Sequence, residues 1–316
     1  MGTGPRATYK RRAMPARTTT LPSGTPLNAR EDRLPAIGLM CLTVALFAVL
    51  DSTAKYLVEV GGLPVMQVVW VRFLGHFILT LLIFAPYGLR SLVLSKRLGH
   101  QLARSVLMFI ITALNFAALK YLQLDQNVTI FFLAPFIVAA LAGPLLGEWI
   151  GWRRLAAIMV GFLGVLLVVR PGFGGFHWAF LLAFGATFCY ALYNISTRFL
   201  SGFDDTKVTQ FYSPAAGALL AAPFAIWFWQ WPAEPFHWLL LLSLGASGGF
   251  AHWLLIRAHR LAPAPILAPF TYTSLIWMSI AGFLVFGHLP SVWTLSGGAV
   301  MVSSGLYLLL RERMRA

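Results

Sequence analysis

"ALKYLQLDQNVTIFFLAPFIVAALAGPLLGEWIGW" runs from residue 118 to 152, and "AHRLAPAPILAPFTYTSLIWMSIAGFLVFGHLPSVW" runs from residue 258 to 293. Laid side by side, they put Gly147 on Gly287, an offset of 140. After a one-residue slip, Trp152 falls on Trp293, Gly164 on Gly305 and Arg170 on Arg311. These landmarks read as an internal repeat, and a repeat on this scale governs the architecture.

The repeated segments are too apolar for water. Of 316 residues, 59% are hydrophobic and 11% charged, with a mean hydropathy of +0.76. Soluble domains carry about 25% charged residues, so this chain lacks the polar surface to cover so large a core. It reads as an all-α membrane protein. At about 20 residues per crossing, ten transmembrane helices are expected. They lie near 36–58, 64–86, 105–122, 126–146, 153–170, 178–199, 207–229, 238–258, 264–286 and 292–310. The joining loops leave no room for a soluble domain. Spans three to five match spans eight to ten, so the chain divides into two five-helix repeats, at 35–171 and 178–311. Five is odd, so the second copy enters the membrane inverted. Inverted repeats mark transporter folds, where alternating access is the rocking of one half against the other.

A net charge of +14 and a pI near 10.5 would suit nucleic acid, but the charges sort by membrane side. With the amino terminus inside, twenty Lys and Arg fall on the cytoplasmic side and only Lys120 and Arg170 outside. That asymmetry sets topology and explains the pI without nucleic acid, placing both termini in the cytoplasm. Residues 1–34, rich in Pro, Thr and Arg, are expected to be a disordered cytoplasmic tail or an over-extended start; a transit peptide is a further reading. Cys41 and Cys189 sit in apolar runs and suggest packing, with neither a disulfide framework nor a metal cluster.

The ten-span plan resembles the EamA family of the drug/metabolite transporter superfamily. The residues that carry the likeness are "GEWIGWRRLAAIMVGFLGVLLVVRPG" (147–172), "LAP" (133–135) and "WTLSGGAVMVSSGLYLLL" (293–310). The likeness covers roughly residues 35 to 311, and one departure is His288 where the first half has Glu148. The resemblance implies a carrier of amino acids, nucleotide-derived metabolites or vitamins in a bacterial inner membrane. It also implies a central site lined by spans one, three, four, six, eight and nine. "ALFAVLDSTAKYL" (45–57) is most similar to uptake carriers for riboflavin or S-adenosylmethionine.

The residues nominate the same region. Asp51, Lys55 and Glu59 share one face of the first helix. At 1.5 Å per residue Asp51 lies about 24 Å into the bilayer, while Lys55 reaches the far boundary and is expected to snorkel outward. Asp51 is expected to pair with Arg72 of the second span, with Lys55 as the alternative partner. The pair serves either a substrate or a helix–helix lock. Thr187, Tyr190, Asn194 and Thr197 form a polar stripe on span six, suited to a solute or to interhelical bonding. Asn194 mirrors the depth of Asp51. Prolines 135 and 144 interrupt span four, and prolines 263, 265 and 269 interrupt span nine. Such paired breaks point to a midplane site. The 140 offset lays Phe132 on Tyr272 and Phe131 on Thr271, so an aromatic pair suited to a flat ring is expected there. Asn115 of span three, and His252 with Trp253 of span eight, complete the set. His252 is a satisfied core histidine or a proton carrier. Glu148 reads as a helix cap or a partner of Arg153 or Arg154.

Several classes drop out. There is no H-E-x-x-H helix for a zinc protease and no Gly-rich phosphate loop with Lys for a nucleotide engine. His252 and His259 lack a third ligand, so neither a catalytic nor a metal site is assigned, and no cofactor is expected. The partners expected are a small-molecule substrate and the lipid bilayer, with a homodimer as an open assembly. A membrane scaffold or sensor stands as the alternative to a carrier, and a lipid-modifying enzyme as a third reading. The aromatic pair tilts the substrate toward a ring-bearing solute such as riboflavin.

Overall fold

A computed structural model describes residues 33–84, 86, 88–146, 152–170, 176–200, 203–261, 267 and 270–313. The expected tail over residues 1–32, Glu148, and prolines 263, 265 and 269 lie outside the described residues. All the described regular structure is helical, as lipid demands, because every backbone N–H and C=O must be satisfied within the segment.

The first half comprises α1 (Arg33–Glu59), α2 (Val65–Phe84), the short α3 (Leu89–Val93), α4 (Leu98–Leu119), α5 (Leu124–Phe131), α6 (Ala134–Leu146) and α7 (Trp152–Val169). The second comprises α8 (Ala179–Leu200), α9 (Thr206–Tyr212), α10 (Ala215–Leu220), α11 (Ala222–Trp227), α12 (Pro235–Leu261), α13 (Ser274–Phe286) and α14 (Val292–Arg313). Five of these, α1, α2, α4, α8 and α12, are long and apolar enough to cross a bilayer unaided. Of the remaining expected spans, the last is the 22-residue but less apolar α14, and the others are shorter helices or chains of them.

The breaks have local causes. Span four stops at Phe132–Leu133, between α5 and α6. Pro135, in the first turn of α6, has no N–H for the carbonyl four residues back. Span nine turns at Tyr272–Thr273, just 140 residues later, before α13 resumes. Span seven, expected as one helix, is three pieces, and Pro214 and Pro223 stand at its joints. Span three also differs: α4 begins at Leu98 rather than 105, which draws Arg104 out of the expected loop and into the bundle.

The halves interlock symmetrically. α1 packs chiefly on α12 and α4 on α8, and exchanging the halves turns one pair into the other. α7 packs on α14, the last span of each half. Small residues permit these approaches. A Cβ on Gly75 of α2 would lie 2.9 Å from the Cα of Gly245 on α12. A Cβ on Gly297 of α14 would lie 2.5 Å from the carbonyl oxygen of Gly164 on α7. Arg170 at the end of α7 sits 4.8 Å above the Trp293 ring, joining two residues that the repeat singled out. The membrane side on which α1 begins is termed proximal, and the opposite side distal.

Candidate functional site

The site is organised along α4. Its residues Gln101, Arg104, Ser105, Met108, Thr112 and Asn115 are all buried, and they recur at intervals of three and four, so one helical face carries a polar spine across the bundle. Three side-chain networks hang from it.

At the distal end, the Asn115 amide donates to Asp51 Oδ1 at 3.2 Å. Asn127 of α5 in turn donates to Asn115 Oδ1 at 2.7 Å. The expected Asp51–Arg72 ion pair does not form. Arg72 reaches past Asp51 and donates to Thr112 Oγ1 at 2.8 Å, with its guanidinium 5.0 Å from the Phe73 ring and 5.7 Å from that of Phe116. Thr112 lies close to one helical turn below Asn115 on α4, so the two charges are held on successive rungs of one helix and not against each other.

Lys55 corrects a second expectation. It does not snorkel to solvent, being only 2% exposed. Its ammonium donates to the carbonyls of Leu119 and Leu122 at 2.8 and 3.0 Å, pairs with Glu59, and stands 5.2 Å from the Phe286 ring. The last carbonyls of a helix lack intrahelical donors, and the ammonium supplies one to Leu119 at the end of α4 and to Leu122 just past it. Lys55 thereby joins α1, α4 and α13 at the distal end.

In the middle, Phe132 and Tyr272 do meet, edge to face with centroids 5.0 Å apart. Both are buried and fill each other's space, with no slot between them, and the Tyr272 hydroxyl abuts Gly305 of α14. Tyr190 packs instead against Phe131 at 6.1 Å and stacks on Tyr193 at 6.4 Å. Tyr190 is 37% exposed although Ala183 and Thr187, on the same face of α8, are at 0%. Its exposure therefore opens into the bundle rather than to lipid. Asn194 donates to the Tyr190 carbonyl at 2.7 Å, so its amide nitrogen bonds within its own helix.

His252 stacks on His76 of α2 at 5.6 Å and meets Phe47 edge-on. His76 in turn bonds Gln210 of α9 at 3.1 Å. Trp253 points elsewhere, stacking on Phe250 with Arg257 5.1 Å away.

Toward the proximal end, Arg104 is held by Thr197 Oγ1 at 2.7 Å, Ser213 Oγ at 2.8 Å, the Thr209 carbonyl at 3.4 Å and the Tyr193 hydroxyl. Sequence reasoning missed His76, Thr112, Asn127 and Arg104. The signal was present in the spacing of Gln101, Arg104, Ser105, Thr112 and Asn115, but it is readable only once α4 is allowed to begin before Arg104.

Two homologous halves, membrane-spanning helices and polar groups gathered between them define a carrier. The EamA-like transporter family matches at residues 34–170 and again at 177–311. The chain belongs to that family, whose members are transporters of small metabolites and not enzymes. It is 30% identical to a riboflavin transporter of Vibrio cholerae, over 85% of this chain and 91% of that one. It is 26% identical to an S-adenosylmethionine uptake transporter of Rickettsia prowazekii, over 90% and 96% of the two chains. A crystal structure sharing 18% identity superposes with a TM-score of 0.62, covering 91% of this chain and all of the other, and so shares the fold.

Proposed function

We propose that this carrier takes up a flat, ring-bearing metabolite across the bacterial inner membrane, with riboflavin first among candidates. The observation that carries the reading is the inward exposure of Tyr190 beside Phe131 and Tyr193. Aromatic faces at mid-depth can stack on a ring, and the likeness to a riboflavin transporter supports the choice. Asp51 with Asn115, Arg72 and His252 form the polar wall, Asn194 extends the ring platform, and Phe132 with Tyr272 close the route at mid-depth. The proximal side is the cytoplasm, on the strength of the Lys and Arg asymmetry, and the two halves are bounded at 35–171 and 178–311.

S-adenosylmethionine is the second reading. It is favoured by Asp51, a carboxyl group held by a neutral amide with no cation in contact among the described residues, which suits a sulfonium or ammonium. Uptake of labelled riboflavin, S-adenosylmethionine, nucleosides and amino acids, in cells lacking their own carriers, tests both. Riboflavin accumulation is expected; accumulation of another class alone removes the riboflavin reading. No solute movement in sealed vesicles would return the chain to a scaffold or sensor. Cross-linking in native membranes tests the homodimer.

A further inference from the structure

Among the described residues, no acidic group pairs with the charge of Arg104. It is 5% exposed and about 9 Å into α4 from its start. All four of its hydrogen bonds run to neutral oxygens: Thr197, Ser213, Tyr193 and the Thr209 carbonyl. Asp204, in the segment before α9, bonds Gln101 one turn from Arg104 on α4 and is also held by Ser95 and the Lys96 N–H. Ionisable groups inside a membrane bundle are paired or mark the path of a substrate, and hydroxyls satisfy guanidinium hydrogens without neutralising them. Tyr193 is also the tyrosine stacked on the inwardly exposed Tyr190, so Arg104 stands at the proximal edge of the ring platform. A guanidinium is the group best shaped for carboxylate or phosphate oxygens.

We propose that Arg104, with Thr197, Ser213 and Tyr193, is a subsite for an anionic group, carboxylate or phosphate, carried by a solute whose ring lies on Tyr190. The hydroxyls hold the guanidinium when no anion is present. The inference rests on the transporter reading but not on the identity of the ring: a solute without an anion, such as riboflavin, leaves the subsite to the hydroxyls. The carrier then also accepts anionic ring compounds.

The test is thermal stabilisation of the purified protein in phosphatidylcholine discs by three probes: riboflavin, flavin mononucleotide and S-adenosylmethionine. Wild type is stabilised by at least one of the two probes with an anionic group, the flavin mononucleotide phosphate or the S-adenosylmethionine carboxylate. Arg104→Gln weakens that probe about thirtyfold, the lower end for removing one partner of a buried charge pair, and leaves riboflavin unchanged. Ser213→Asp supplies an internal counterion, so it raises the melting temperature without ligand and blocks the anionic probes. Three results overturn the proposal. Neither anionic probe stabilises wild type; Arg104→Gln weakens all probes alike or none; or Ser213→Asp still binds the anionic probes at wild-type strength. In a parallel arm, protection by phosphatidylglycerol that displaces the soluble probes assigns the anion to a lipid headgroup and likewise overturns it. Uptake of riboflavin that survives any of these failures keeps the transporter reading intact.

Discussion

At Asp51 one amide separates two functions. Asn115 holds the carboxylate with its nitrogen and accepts Asn127 with its oxygen, so it sets the orientation of both neighbours. Replacing Asn115 by Leu removes two interhelical bonds, and in a membrane such bonds contribute about 0.6 to 2 kcal/mol each. A lowered melting temperature is expected, with α5 loosened from α4. Asp51→Asn differs in kind. It preserves the size and most of the bonding, so the protein should insert and melt normally while uptake falls about tenfold, near 1.4 kcal/mol of lost binding. Uptake per folded molecule measures this, and an unchanged rate would reduce Asp51 to a helix lock. Lys55→Met belongs at the same scale. It strands the carbonyls of the buried Leu119 and Leu122, at about 1 to 3 kcal/mol for buried groups left unpaired, and is expected to lower the melting temperature.

Helices make contact here through small residues and loop latches. α2 and α12 cross where Gly75 meets Gly245, so Gly75→Leu should abolish folded expression. Gly38→Ala, with no atom within 4 Å of the added Cβ, should be silent. Yield of monodisperse protein decides this. The proximal latch joins the α3–α4 connection to the segment before α9. Burial alone would raise the Asp204 carboxyl, but hydrogen bonds from Ser95, Gln101 and the Lys96 N–H outweigh it and hold it below the usual carboxylate range. A lowered carboxylate stabilises the fold at all pH above its ordinary value of about 3.9, and that contribution is lost as pH falls through the depressed value. Thermal melts through the acid range should therefore show a loss of stability that is absent in Asp204→Asn. The elements themselves were legible in advance where periodicity and composition coincide, as in α1, α2, α8 and α12. The start of α4 was not, because "LGHQLAR" reads as a polar loop until its Gln and Arg find partners on α8 and α9.

Across the whole molecule, α1 packs on α12, α4 on α8, and α7 on α14. Lys55 and Asn127 bond α4 at the distal end, and the Phe132–Tyr272 contact fills mid-depth beside Tyr190 and its neighbours. Single cysteines placed at Glu234 and at Lys96 test the orientation. A membrane-impermeant thiol reagent should label the first and not the second in intact cells. The repeat, the helical membrane class and the contact between Phe132 and Tyr272 followed from the sequence alone. They rest on hydropathy and on an offset of 140, both of which are properties of the chain read in order. Which charges pair was decided only by the tertiary structure. Asp51 and Arg72 have the depth to meet, yet Thr112 and Asn115 intervene on α4, and Lys55 turns inward to the carbonyls at that helix's end. Depth along a helix axis is one-dimensional, whereas a hydrogen bond also requires the rotation of each helix about its axis. Packing against neighbours sets that rotation.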